Sequence, residues 1–95
     1  MENEFQFDLE RYISREKFTR IKKFAEDKDT PFLVIDLKKV EQKYDELLNT
    51  LPFAKIYYAV KANPHEAVIL MLVKKGSYFD IASVYEMDNI LELGA

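Results

Sequence analysis

The stretch Tyr57-Tyr58-Ala59-Val60-Lys61-Ala62-Asn63-Pro64 decides how this chain is read. Its β-branched and aromatic run ends abruptly in a lysine and breaks at Asn-Pro, so an apolar strand delivers an ammonium where the chain turns into a helix. Active sites occupy that place in proteins that alternate strands and helices. With a side-chain period of two, Tyr57, Ala59 and Lys61 share one face, and Ile56, Tyr58 and Val60 share the other. The second face is apolar enough to meet helices. The first, with small Ala59 beneath Lys61, leaves room for a ligand at the strand's end.

Downstream of the lysine, Asn63 reads as an N-cap with Pro64 at the first helical position, and Val68, Ile69, Leu72 and Val73 form a buried stripe that Gly76 ends. Tyr78-Phe79-Asp80-Ile81-Ala82 reads as the next strand. Ser83-Val84-Tyr85-Glu86 fits a capping box opening a helix with Met87, Ile90 and Leu91 inside, closed by Gly94. Upstream, the strand Ala54 to Val60 follows a helix capped by Asp36, whose Leu37, Val40, Tyr44, Leu47 and Leu48 keep the helical period up to Asn49 and Pro52. Thr30-Pro31 breaks the pattern before that, and Phe32-Leu33-Val34-Ile35 reads as a buried strand. Ser14 caps a helix expected over about 15 to 27, with Phe18, Ile21 and Phe24 or Ala25 at helical spacing. The alternation Phe5-Gln6-Phe7-Asp8-Leu9 would suit a half-buried strand, given a sheet to pair with.

Residues 1–29 thus form an N-terminal extension with one helix, and residues 30–95 form three successive strand-helix units without a flexible linker. Such alternation implies an α/β fold with parallel strands joined by right-handed crossovers, opening either a doubly wound sheet or a barrel. An eight-stranded barrel takes roughly 250 residues. The sequence stops at a helix C-cap, and we expect it to be the first part of a larger protein.

The totals exclude several function classes. With 95 residues, 48% hydrophobic and 33% charged, the chain has the composition of an ordinary globular domain, and it holds no apolar run long enough for a membrane span. A net charge of −3 offers nothing to nucleic acid. Arg15, Lys17, Arg20, Lys22 and Lys23, balanced by Glu16, Glu26 and Asp27, read as a solvated helix face. The absence of cysteine removes disulfides and thiolate metal sites, and no metal is expected. Met1-Glu2-Asn3-Glu4 is acidic where a secretory signal is basic, so a cytoplasmic location is expected.

Three residues carry candidate chemistry. A desolvated lysine amine can lose its proton and attack an aldehyde, which would hold a cofactor covalently on Lys61. The same lysine could simply snorkel to solvent from a strand end. Asp80, near the end of the neighbouring strand, and Glu86, in the first turn of the following helix, could project towards the same end of the sheet. Each also has a plain alternative: Glu86 completes a capping box with Ser83, and Asp80 caps a turn or sits at a wet rim. His65, at a helix start, has no assigned role. Both glycines are helix stops, so no phosphate-cradling loop is present.

Tyr58-Ala59-Val60-Lys61-Ala62-Asn63 resembles the cofactor-lysine motif of the fold-type III pyridoxal-phosphate enzymes, which include alanine racemase and the basic amino-acid decarboxylases. Phe79-Asp80-Ile81-Ala82-Ser83, followed by Glu86, looks like the ornithine decarboxylase pattern, and Pro31-Phe32-Leu33-Val34-Ile35-Asp36 resembles the family's first barrel strand. Glu10 to Asp29 is similar to the extension of the bacterial ornithine and lysine decarboxylases. Alanine racemases typically have a Tyr-Gly-His-Gly-like segment where this chain has Pro64-His65-Glu66, and diaminopimelate decarboxylases have Ser-Gly-Gly-Glu in place of Ser83-Val84-Tyr85-Glu86. The ornithine and lysine branch fits best.

The resemblance implies the opening βα units of an alanine-racemase-like β/α (TIM) barrel, incomplete in this chain, with a second β-sheet domain to which the N-terminal residues contribute. It implies pyridoxal 5'-phosphate bound to Lys61, with Asp80 and Glu86 beside lysine and cofactor, and a homodimer that decarboxylates ornithine or lysine to its diamine for polyamine formation. A histidine stacked on the ring, a glycine-rich phosphate loop, a glutamate at the ring nitrogen and a cysteine given across the dimer interface would follow residue 95. The isolated chain is accordingly expected to be inactive and prone to aggregate through unpaired edges. Two other readings remain: a non-catalytic homologue that carries the cofactor or binds a regulator, and a flavodoxin-like binding module, which leaves the matched motifs unexplained.

Overall fold

The computed structural model describes residues 8–95. The described residues divide into two compact units, 8–35 and 36–95. The expected N-terminal alternation lies outside the described residues up to Phe7. Its last two residues join no described strand: Asp8, with an extended backbone, accepts from the Glu10 amide and caps a short 3-10 helix, Leu9–Arg11.

In the first unit, helix α1 spans Arg15–Ala25. Ser14 caps it as its sequence position predicts, with Oγ accepting from the Lys17 amide at 3.1 Å. The Arg15 guanidinium meets the Glu10 carboxylate at 2.7 Å, but both groups are largely solvated and the pair adds little stability. No residue of α1 is buried. The strand expected at Phe32–Ile35 is absent: these residues join no described ladder, and Leu33 is 78% exposed. Four apolar residues make a strand only where a partner edge supplies hydrogen bonds.

In the second unit, α2 (Leu37–Thr50) leads to strand β1 (Tyr57–Ala59), a 3-10 turn (Val60–Ala62), α3 (Glu66–Lys74), β2 (Tyr78–Asp80) and α4 (Val84–Glu92). The strands pair in parallel, with Tyr57 opposite Tyr78, Tyr58 opposite Phe79 and Ala59 opposite Asp80. Helix α3 supplies the crossover that parallel pairing demands. Both strands are shorter than their apolar runs, because the first bends into the 3-10 turn at Val60 and the second ends at Asp80.

Two apolar clusters hold this unit together. Tyr44, Val68 and Leu72 lock α2 onto α3, and Val60, Ile69 and Ile90 join the end of β1 to α3 and α4. Tyr58 and Phe79, paired neighbours on the strands, pack against both clusters. The alternation of β1 therefore points Ile56, Tyr58 and Val60 into the core, as their sequence predicts. In α4 only Ile90 is buried, while Met87 and Leu91, also expected inside, are 38% and 55% exposed. Both lie within a turn of Ile90, yet little of the described chain covers them.

The ends of α3 and α4 repeat one device. Gly76 and Gly94 take φ of +79° and +100°, and the residues after them return their amides to Leu72 and Ile90 carbonyls. A side chain strains in that left-handed conformation. Just before Gly76, Lys75 reaches back to α2, with Nζ 2.9 Å from Asp45 and 3.4 Å from Glu41. The Asp45 hydrogen bond, supported by Glu41, raises the lysine's pKa above its ordinary 10.5.

Two outcomes test this packing in the full-length protein. Ile69→Ala is expected to cost about 2–5 kcal/mol in denaturant unfolding, the range for emptying a tight apolar site. Lys75→Met should lower Tm at neutral pH. Because the folded pKa is raised, the lysine's contribution is complete below pH 10.5 and fades as pH rises through the higher folded value, so the Tm difference should shrink only there.

Candidate functional site

The strand that carries Lys61 forms because Tyr57, Tyr58, Ala59 and Val60 combine β propensity with an apolar face for α3 and α4. Val60, with no solvent exposure, is the last anchored residue. The chain there tightens into the 3-10 turn Val60–Ala62, so Lys61 emerges from a turn rather than from the strand itself. It is exposed, and its amine has no hydrogen-bond or ion-pair partner among the described residues.

Asp80 ends β2 opposite Ala59, which places its carboxylate at the same, C-terminal end of the strand pair as Lys61. It too is exposed and without a side-chain partner among the described residues. Glu86 is different. Its Oε1 accepts from the Ala82 amide at 2.7 Å, while its own amide donates to Ser83 Oγ at 3.2 Å. The capping box is thus closed, displaced by one residue at the backbone amide that the glutamate binds. This leaves Glu86 a half-buried anion at the N-terminus of α4, fixed by the loop that joins it to β2.

The fold brings the three predicted residues to one end of the parallel pair, and none of them pairs with another. Two residues before Ala59 and Asp80, on their face of the strand pair, the rings of Tyr57 and Tyr78 stack with centroids 5.1 Å apart. The helix after Lys61 starts later than its sequence suggests. Asn63 is not the N-cap: its Oδ1 accepts from the His65 amide, and His65 caps α3 through Nδ1, which accepts from the Ala67 amide at 3.1 Å. An asparagine two residues before the cap makes its own turn first.

Sequence reasoning missed one participant. The Tyr58 hydroxyl donates to the Asn63 carbonyl at 2.9 Å, bridging the ends of the turn that carries Lys61. Burial raises its phenol pKa above the ordinary value of 10.0. The signal was available, since a tyrosine on a core-facing strand position must place its hydroxyl somewhere.

An exposed amine and an exposed carboxylate, both unpaired among the described residues, are groups that an aldehyde cofactor could use, one to bond it and one to balance charge. The donor set fits pyridoxal phosphate at its aldehyde end. Among the described residues no cluster suits a metal ion, and no helix is long and apolar enough to cross a membrane.

Comparison with known proteins agrees. Residues 37–95 match the family described as pyridoxal-dependent decarboxylase, pyridoxal binding domain. The chain belongs to that family. The lysine/ornithine decarboxylase of Selenomonas ruminantium is 45% identical over 74 residues, covering 78% of this chain and 19% of that protein. Antizyme inhibitor 2 of Xenopus laevis is 33% identical over 96 residues, covering 98% of this chain and 21% of that protein. The crystal structure of SrLDC in complex with PLP and cadaverine superposes with a TM-score of 0.75 at 38% identity, covering 100% of this chain and 22% of that one. The chain spans about a fifth of the length of these relatives.

The closed box predicts a graded response at α4. Ser83→Ala and Glu86→Ala should each lower the stability of the full-length protein by about 0.5–2 kcal/mol, while Glu86→Gln, which can still accept from Ala82, should cost much less. Denaturant midpoints of the three variants check this.

Proposed function

We propose that this chain forms the lysine end of the pyridoxal-phosphate site in a decarboxylase that converts ornithine or lysine to its diamine. The observation that carries the reading is Lys61: a solvent-accessible amine, unpaired among the described residues, rooted by fully buried Val60 at the C-terminal end of two parallel strands, in a chain of the pyridoxal-dependent decarboxylase family. The relative that binds PLP and cadaverine supports the substrate class, an amino acid with a terminal amine.

Pyridoxal phosphate, when bound, supplies an electron sink for the pair left behind as an amino acid loses carbon dioxide. The chain's own residues do the rest. Lys61 Nζ would hold the cofactor through its aldehyde carbon, water leaving as that bond forms, and would yield the carbon to the amine of a substrate. The Asp80 carboxylate, at the end of the adjacent strand, would balance the charge of the lysine when it is released. Glu86, immobilised by Ala82, holds a second negative charge at the same end. Ala59, at the end of β1 opposite Asp80, keeps the space beneath the amine open.

Residues 30–95 then supply the opening βα units of a β/α barrel, preceded by the extension of residues 1–29, and the complete protein works as a homodimer on a small amino-acid substrate. The similarity to antizyme inhibitor 2 over nearly the whole chain favours a second reading, a non-catalytic homologue that binds a regulator.

Borohydride reduction of the full-length protein with pyridoxal phosphate should fix the label on Lys61; a label elsewhere sinks the site assignment. Lys61→Ala should lower diamine production from ornithine and lysine by at least about 10²–10⁴-fold. A wild-type protein that makes neither diamine supports the non-catalytic reading instead.

A further inference from the structure

The turn that carries Lys61 is fastened at both ends, and by different means. At its start, Val60 is sealed in the cluster with Ile69 and Ile90. Ala59, the residue before the turn, offers no side-chain cap. At its end, the Asn63 carbonyl receives the Tyr58 hydroxyl at 2.9 Å, a link from the residue three before Lys61 to the residue two after it. Asn63 also reaches forward: its Oδ1 accepts from the His65 amide, and His65 caps α3. The Tyr58 ring packs against both apolar clusters, so the hydroxyl is held by the core rather than by the turn it closes.

We propose that Tyr58 is a positioning residue for Lys61, its hydroxyl clamping the turn that aims the amine at the cofactor. The inference rests on Lys61 being the amine that bonds pyridoxal phosphate. Val60 alone fixes where the turn begins. Rotation about the backbone between Val60 and Asn63 would still swing the amine, because Lys61 is exposed and has no hydrogen bond or ion pair of its own among the described residues. The clamp removes that freedom at the exit, and a reacting atom misplaced by an ångström loses rate without losing the fold. A phenol is protonated and able to donate at neutral pH, and burial moves Tyr58 further from ionisation.

Tyr58→Phe removes the hydroxyl and leaves the ring in both clusters. In the full-length protein loaded with pyridoxal phosphate, amide hydrogen exchange of residues 59–63 should rise about five- to tenfold, the factor that follows from losing one ordinary hydrogen bond, while exchange in α3 and α4 stays unchanged. The visible absorption of bound pyridoxal phosphate should decay faster on dilution, and kcat should fall by a similar factor at constant KM. Unchanged exchange at 59–63, or exchange raised throughout the core with a lowered Tm and unaltered kcat, overturns the clamp and leaves the Lys61 assignment standing. A borohydride label away from Lys61 in the wild type shows that the assignment itself has failed, and the clamp with it. One measurement needs no variant: wild-type amides at 59–63 should exchange more slowly than those of the loop at 51–56, and equal rates overturn the proposal.

Discussion

Val60 has no exposed surface, and most of what positions the site follows from that burial. Its side chain meets Ile69 of α3 and Ile90 of α4, so one apolar contact ties the end of β1 to the two helices that follow it. The next residue is Lys61. A chain rooted that firmly in apolar packing can present a charged group to solvent at a defined place, because a fully buried valine is stabilised by about 1.5–3 kcal/mol against exposure. The neighbouring strand reproduces the arrangement more weakly: Phe79 packs inward, and Asp80 ends exposed.

The second unit has two levels of support. Tyr44, Val68 and Leu72 hold α2 against α3, with Lys75 adding a charged tie to Asp45 and Glu41. These contacts hold the crossover helix in place. The Val60 cluster, the Ser83 cap and the Glu86 hydrogen bond to Ala82 lie at the end where Lys61 and Asp80 emerge. Tyr58 and Phe79, whose rings pack against both clusters, join the frame to the site.

Much of this was legible in the residues. Ser14, Asp36 and Ser83 cap helices where their positions indicate, and Gly76 and Gly94 end them, because capping depends on a few local hydrogen bonds. The core faces of β1 and α3 followed from periods of two and 3.6. Strand lengths were not legible, since a ladder's extent depends on its partner: Phe32–Ile35 has none among the described strands. Met87 and Leu91 misled for the same reason, as helical period gives a face but not what covers it. At the site, Lys61 and Asp80 stood out by position, and Glu86 took the capping role that its spacing from Ser83 offered. The Tyr58 hydroxyl bond depends on a fold in three dimensions, and Asn63's role shifted because its side chain turned the backbone before the helix began.

The central claim is that Lys61, delivered by β1 and its 3-10 turn, is the amine that holds pyridoxal phosphate. The most direct test is the electron density of the full-length protein crystallised with the cofactor. The account predicts continuous density from Lys61 Nζ to the cofactor's aldehyde carbon, with the Asp80 carboxylate beside the bond. Cofactor density joined to another lysine, or Lys61 Nζ left free in solvent with the cofactor bound elsewhere, would contradict it.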